Sequence, residues 1–117
     1  KLYTSYRVNL LYGENFHLKN EIIVKLSKTF KKNNYKTTLL KQEDLIKNTE
    51  ILDNYINQDN LFGDKEIIIV KDATDKLLDY LNIENLDKQF IIVSDNLPKN
   101  SKLRNLAEKS KTISCIA

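Results

Sequence analysis

Cysteine, histidine, proline and glycine are scarce in this chain of 117 residues, which has one Cys, one His, one Pro and two Gly. The single cysteine, Cys115, excludes an internal disulfide framework, and its apolar neighbours Ile113 and Ile116 predict a buried thiol in a cytoplasmic protein. His17 and Cys115 lie far apart in sequence, so we expect no zinc site and no Cys–His nucleophile pair.

Long apolar runs are also missing, since no segment approaches the roughly 18 residues that span a bilayer. The chain has 41% apolar and 30% charged residues, which is ordinary for a globular protein. We therefore expect one domain over residues 1–117, in the cytoplasm and without a membrane partner, with enough chain to bury a core.

The net charge of +3 conceals a segregation along the chain. Residues 1–41 contain nine Lys or Arg and two acids, residues 42–98 contain five and thirteen, and residues 99–117 contain five and one. The basic ends are typical of a solvated helix face. They also leave open a weak DNA-binding function, for which the candidates are Lys25, Lys28, Lys32, Lys102 and Arg104.

Apolar runs alternate with amphipathic segments along the whole chain. The runs Ile67–Val70 and Phe90–Val93 are apolar at every position, as in strands that are buried on both faces. The pattern predicts an α/β fold with a three-layer arrangement, in which a mainly parallel five-stranded sheet has helices on both faces. The predicted strands are Arg7–Tyr12, Tyr35–Leu40, Glu66–Val70, Gln89–Ser94 and Thr112–Ile116, and the predicted helices are Phe16–Lys32, Thr49–Gln58, Asp75–Leu81 and Ser101–Ser110.

The turn after the first strand has the position of a phosphate-binding loop. Against the pattern G-x-x-x-x-G-K-[ST], Gly13 and Lys19 match, whereas Leu18 replaces the second glycine and Asn20 replaces the Ser/Thr that binds Mg²⁺. Spacing by four predicts that Leu18 belongs to the buried stripe of the helix and that Lys19 lies outside it. These are degenerate phosphate-loop positions, so we expect no nucleotide cofactor; an NTPase using Gly13 and Lys19 is the alternative.

Other polar residues favour structural roles over catalysis. The pair Glu43–Asp44 is typical of a solvated helix start. His17 has no partner that would make it a base. Asp72 follows the third strand, and we predict that it is a solvated turn residue. Ser94–Asp95 follows the fourth strand, and we predict that this pair caps a loop. We expect no catalytic residue and no metal ligand.

Leu61 and Phe62 are adjacent apolar residues in a polar, turn-prone stretch that begins at Gln58. Taken alone, such a pair either packs beneath its loop or docks into a pocket on another protein. The stretch Gln58–Phe62 also fits the bacterial clamp-binding pattern Q-x-x-L-F.

Three segments together resemble the N-terminal domain of the delta subunit of bacterial DNA polymerase III, the clamp-loader subunit that opens the sliding clamp. They are residues 10–14 (Leu-Leu-Tyr-Gly-Glu), residues 61–71 from Leu-Phe-Gly-Asp into the third strand, and residues 90–103 from Phe-Ile-Ile-Val to Lys-Asn-Ser-Lys-Leu. The likeness extends from about Val8 to Cys115.

The resemblance implies an ATPase-like (AAA+) fold of degenerate P-loop type, in an accessory subunit that has no active site of its own. The complex to which such a subunit belongs is a DNA-directed DNA polymerase. Gln58, Leu61 and Phe62 would form the clamp-binding element, with the sliding clamp (the beta subunit) as partner in DNA replication. The lid and collar domains that join the other clamp-loader subunits are absent from this chain, which we expect to be the clamp-binding domain only.

Overall fold

Five parallel strands form a single sheet in the order β2-β3-β4-β1-β5. The computed structural model describes residues 6–50, 65–83, 88–110 and 113–116. The elements are β1 (Val8–Leu11), α1 (Phe16–Lys32), β2 (Tyr35–Lys41), α2 (Gln42–Lys47), β3 (Lys65–Lys71), a 3-10 helix (Asp75–Asp79), β4 (Gln89–Val93), α3 (Lys102–Lys109) and β5 (Ile113–Ile116). The predicted α/β class is confirmed, and every strand pair is parallel.

The runs Ile67–Val70 of β3 and Phe90–Val93 of β4 are apolar at every position because each face of the sheet has its own core. On one face, Leu11, Ile69 and Ile91 pack against Leu26 and Phe30 of α1. On the other face the core is larger and is covered by α2, the 3-10 helix and α3. Its members include Leu10, Val70, Phe90, Ile92, Leu45, Leu77, Leu103 and Ala107.

The helix start predicted at Glu43–Asp44 is confirmed by α2, although the extent of this helix was not predicted. This helix begins directly after β2, and Glu43 and Asp44 occupy its first turn, where acidic groups complement the helix dipole. Lys47 forms an ion pair with Glu43 at 3.0 Å. The predicted helix Thr49–Gln58 begins where it was predicted, since Thr49 and Glu50 are helical. The rest of that helix lies outside the described residues and stays a prediction.

The C-terminal helix was predicted correctly, including its cap. Ser101 accepts a hydrogen bond from the backbone N–H of Arg104 (3.2 Å), which satisfies one of the free donors at the start of α3. Leu103 and Ala107 are buried beneath this helix. Across residues 6–50, 65–83, 88–110 and 113–116, no helix is long and apolar enough to cross a membrane.

Candidate functional site

The strand order places a crevice at the carboxyl ends of β1 and β4. After β1 the chain crosses to α1 on one face of the sheet, whereas after β4 it crosses to α3 on the opposite face. Two adjacent strands whose connections diverge in this way mark the topological switch point, where open α/β sheets bind ligands. The predicted phosphate-loop positions and Ser94–Asp95 meet at this point.

The loop from β1 to α1 is fastened to the loop that follows β4. Gly13 has φ of 120°, in a region that glycine adopts readily because it has no Cβ. Its backbone N–H donates to the carbonyl oxygen of Asp95 (3.1 Å). Asn15 caps α1 by accepting from the backbone N–H of Leu18 (3.0 Å). In a phosphate-binding loop, backbone N–H groups point at the phosphate. Here the N–H of Gly13 donates to Asp95 instead, so it is not available to a phosphate.

Lys19 is buried, with 8% of its surface exposed, which contradicts the prediction that it lies outside the stripe of α1. Its ammonium nitrogen donates to the carbonyl oxygen of Ser94 (2.9 Å) and lies 3.7 Å from the carboxylate of Asp95. The Asp95 side chain is almost fully exposed, so water screens this ion pair and the carbonyl is the stronger partner. The lysine that would hold a phosphate in a P-loop therefore links α1 to the loop that follows β4.

Leu18 is 40% exposed, so its predicted place in the buried stripe was wrong. The centre of the buried arc runs through Lys19, Leu26 and Phe30, and Leu18 projects about 100° away from Lys19. Leu18 instead lines a cavity of about 90 Å³ together with Tyr12 and Gly13. A phosphate-binding loop has a glycine at this position so that the backbone can approach the phosphate closely, whereas here the position has the side chain of Leu18.

Asn20 is half-buried and lines a second cavity, of about 70 Å³, together with Lys71, Asp72, Ser94 and other residues at the same edge. Asp72 is an exposed turn residue with φ of 56°, in agreement with the prediction of a solvated turn. The pair Ser94–Asp95, predicted to cap a loop, contacts Gly13 and Lys19 through its main-chain carbonyls and not through the side chain of Ser94. The Ser94 hydroxyl is buried without a hydrogen-bond partner in the structure.

Cys115 lies on the other side of the β1 end and is half-buried rather than fully buried as predicted. Burial raises the pKa of its thiol, and burial is also the main cause of the raised pKa of Tyr12, to which Cys115 is hydrogen-bonded. The guanidinium of Arg104 stands 5.3 Å from the centre of the Tyr12 ring. A thiol with a raised pKa is a poor nucleophile. We therefore assign Cys115, Tyr12 and Arg104 a role in packing.

The basic residues proposed for DNA do not form one surface. Lys25, Lys28 and Lys32 belong to α1, whereas Lys102 and Arg104 belong to α3 on the opposite face of the sheet. Arg104 also donates to the carbonyl of Leu97 (2.9 Å). A duplex could therefore contact only one of the two sets at a time.

The three predicted clamp-binding residues, Gln58, Leu61 and Phe62, lie outside the described residues, so the element they form stays a prediction. Among the residues that the structure describes, no three His, Cys, Asp or Glu side chains form a group able to hold a metal ion. No known family model, curated protein or solved structure matches this chain. The α/β fold and the crevice at β1 and β4 are the findings on which a functional proposal can rest.

One feature of the site could have been read from the sequence, and one could not. Lys19 stands seven residues before Leu26 and eleven before Phe30, which is the spacing of a single helix face. That spacing indicated a buried lysine. The acceptor for the Lys19 ammonium is the main-chain carbonyl of Ser94. Every residue has such a carbonyl, so the sequence could not identify the acceptor.

Proposed function

We propose that this domain is a non-catalytic binding module of the clamp-loader delta type. In this proposal Leu61 and Phe62 insert into an apolar pocket on the sliding clamp, Gln58 hydrogen-bonds near the rim of that pocket, and the domain helps to open the ring in DNA replication. It acts in the cytoplasm as an accessory part of a polymerase complex, and domains outside this chain hold the other loader subunits.

The observation that carries the proposal is the engagement of Lys19. Its ammonium is buried against the carbonyl of Ser94, and the N–H of Gly13 is bonded to Asp95. A triphosphate would have to displace both contacts, and Leu18 and Asn20 offer it neither close backbone nor a hydroxyl for Mg²⁺. Because Lys19 and the N–H of Gly13 already form hydrogen bonds within the protein, this α/β domain is better suited to binding a protein than to hydrolysing a nucleotide.

The expected strength of the clamp contact follows from its size. Fully burying a leucine and a phenylalanine contributes roughly 1.5–3 kcal/mol each, and part of this is lost to the entropy of association. Even before that loss, a total of roughly 3–6 kcal/mol corresponds to a Kd of tens of micromolar at best, so the pair alone supports only weak binding. Ring opening needs more, because a ligand shifts an equilibrium only by its difference in affinity for the two states. The rigid sheet must contact the opened clamp interface better than the closed one.

The test is the affinity of the chain for a purified bacterial sliding clamp on a biosensor. We expect the double variant Leu61→Ala, Phe62→Ala to lose clamp binding while keeping the melting temperature of the parent. Tyr80→Ala is the control, because it removes an exposed aromatic side chain that directly follows the 3-10 helix. Clamp affinity that survives the double substitution, or is lost equally in the control, would contradict the proposal.

A further inference from the structure

β2 forms one outer edge of the sheet and is longer than the strand at the other edge. In the described part of the chain its ladder partner is β3, and the register runs without a break from Tyr35 beside Lys65 to Lys41 beside Lys71. β2 has seven residues, whereas β5 has four. An edge strand presents a row of N–H and C=O groups that can pair with another strand. β2 is therefore the longer template for such pairing.

The middle of β2 is neutral and has residue types that favour strands. Residues 37–40 read Thr-Thr-Leu-Leu, and the two lysines of the strand, Lys36 and Lys41, lie towards its ends. Natural edge strands are commonly protected by proline, by bulges or by charged side chains along their length. Leu39 is 58% exposed, although its register partner Ile69 on β3 is buried. An unbroken strand with a neutral middle and an exposed leucine favours association through its edge.

The positions of the two lysines determine which partner strand fits. A second copy of β2 can pair antiparallel over all seven residues. The opposed pairs are then Tyr35 with Lys41, Lys36 with Leu40, Thr37 with Leu39, and Thr38 with its own copy. No lysine faces a lysine in this arrangement. A parallel pairing in register would set each lysine against its own copy, and like charges directly opposite each other are destabilising. The strand is therefore complementary to itself in the antiparallel direction.

We propose that two copies of this chain pair through the outer edges of β2, antiparallel and centred on Thr38. The two five-stranded sheets then form one continuous sheet, and the two-fold axis at Thr38 closes the contact at two copies. Each exposed Leu39 is partly covered by Thr37 of the second copy. The pairing uses residues 35–41 and not Leu61 or Phe62, so it does not depend on clamp binding.

The strength of the dimer is limited by its size and by one repulsion. Interfaces as small as a single strand pair are weak, so the dimer forms as the protein concentration rises. Lys65 lies 5.6 Å from the centre of the Tyr35 ring. In the dimer Tyr35 lies between Lys65 of its own copy and Lys41 of the second copy. Salt screens the repulsion between these two exposed ammonium groups, so added salt should strengthen the dimer.

The first measurement is the mass of the full chain by sedimentation equilibrium over a range of protein concentrations. We expect the average mass to rise from that of one copy towards that of two. Leu39→Lys should weaken the dimer about tenfold, because it removes a leucine–threonine pair in each half and adds two ammonium groups near the two-fold axis. Tyr80→Lys is the matched control and should dimerise like the parent, since it adds the same charge at an exposed position after the 3-10 helix.

Cysteine cross-linking tests the register, in a Cys115→Ser background and under a mild oxidant. Thr38→Cys should give a disulfide-linked dimer, because directly opposite residues of antiparallel strands have Cα atoms about 4.5–5.5 Å apart, within the range of a disulfide. Thr37→Cys is the matched control. In the proposed register the two copies of position 37 are diagonal neighbours, roughly 7–8 Å apart, so they should cross-link far less.

Three results would overturn the proposal. A parent that stays monomeric at every concentration would leave the β2 edge to an extended segment of another protein. A dimer that Leu39→Lys leaves unchanged would place the contact elsewhere. Cross-linking of Thr37→Cys equal to that of Thr38→Cys would contradict the register. The Leu61→Ala, Phe62→Ala variant should dimerise like the parent, so failure of clamp binding and failure of dimerisation are distinguishable.

Discussion

At the scale of single residues, Lys19 makes the most informative contact in the molecule. An ammonium group loses hydration when it is buried, and this loss has to be offset by hydrogen bonds within the protein. The carbonyl of Ser94 supplies one such bond at 2.9 Å, and the Asp95 carboxylate adds a weaker attraction at the surface. Lys19 thereby links α1 to the end of β4, two elements that are far apart in sequence.

Lys19→Met tests whether this link stabilises the fold. Methionine keeps most of the length and apolar character of the lysine stem but leaves the buried carbonyl of Ser94 without its donor. We expect the free energy of unfolding to fall by about 1–3 kcal/mol, measured by urea denaturation. Lys25→Met is the control, because Lys25 lies on the same helix with an exposed side chain. Equal stability of the two variants would show that Lys19 is not a structural link.

At the scale of elements, Asp75 joins the 3-10 helix to α3. One of its carboxylate oxygens accepts from the hydroxyl of Ser101 (2.6 Å) and the backbone N–H of Leu103 (3.1 Å), and the other accepts from the N–H of Lys102 (3.2 Å). The first turn of a helix has free N–H groups and a partial positive charge. The Asp75 carboxylate accepts hydrogen bonds from these N–H groups and offsets the positive charge, and it thereby holds the first turn of α3 in place.

The same contacts make the α3 link sensitive to acid. The hydrogen bond from Ser101 is the largest cause of the lowered pKa of Asp75, and the N–H groups of Leu103 and Lys102 add to it. Because the native pKa is below the unfolded one, the stabilisation is complete above the ordinary aspartate pKa of about 3.9 and is lost as pH falls through the native value. We expect Asp75→Asn to lose stability at neutral pH and to flatten its decline below about pH 4.

The control for Asp75 is Asp79→Asn, an exposed residue at the end of the same 3-10 helix. It should keep the parent's stability at neutral pH and the parent's decline in acid, followed by urea denaturation at a series of pH values. A parent-like acid decline in Asp75→Asn would assign that decline to other carboxylates.

Elements were predictable from sequence where one physical signal was strong enough. The continuous apolar runs of β3 and β4 indicated strands buried on both faces, and Ser101 before an apolar stripe indicated the cap of α3. The acidic pair Glu43–Asp44 indicated the start of α2, but not its extent, because six residues, Gln42–Lys47, are too few to display a helical period. Lys19 was misassigned because the spacing by four from Leu18 to Ile22 was given more weight than the spacing by seven from Lys19 to Leu26.

At the scale of the whole molecule, the two faces of the sheet divide the possible interactions. The α1 face is covered by a single helix, whereas the opposite face is covered by α2, the 3-10 helix and α3. The crevice lies at the carboxyl ends of β1 and β4, where the connections that follow these strands go to opposite faces of the sheet. The hydrogen bond from Lys19 to Ser94 lies at this point.

The hydrogen bonds at the crevice determine how the protein responds to nucleotides. A ligand that binds only the folded chain stabilises it by about 2.7 kcal/mol when its concentration is one hundred times its Kd. In a domain of this size that gain raises the melting temperature by roughly 10 °C. Because Lys19 and the N–H of Gly13 are already bonded within the protein, we expect no rise with millimolar Mg-ATP in a thermal-shift experiment.

Lys19→Met is the matched control in this experiment, since it removes the group on which a P-loop would depend. Parent and variant should both keep, in Mg-ATP, the melting temperature each has without it. A rise in the parent that Lys19→Met abolishes would identify a working phosphate site and favour the NTPase over the binding module. A rise that both proteins share would place nucleotide binding elsewhere, because the lysine would then contribute nothing to it.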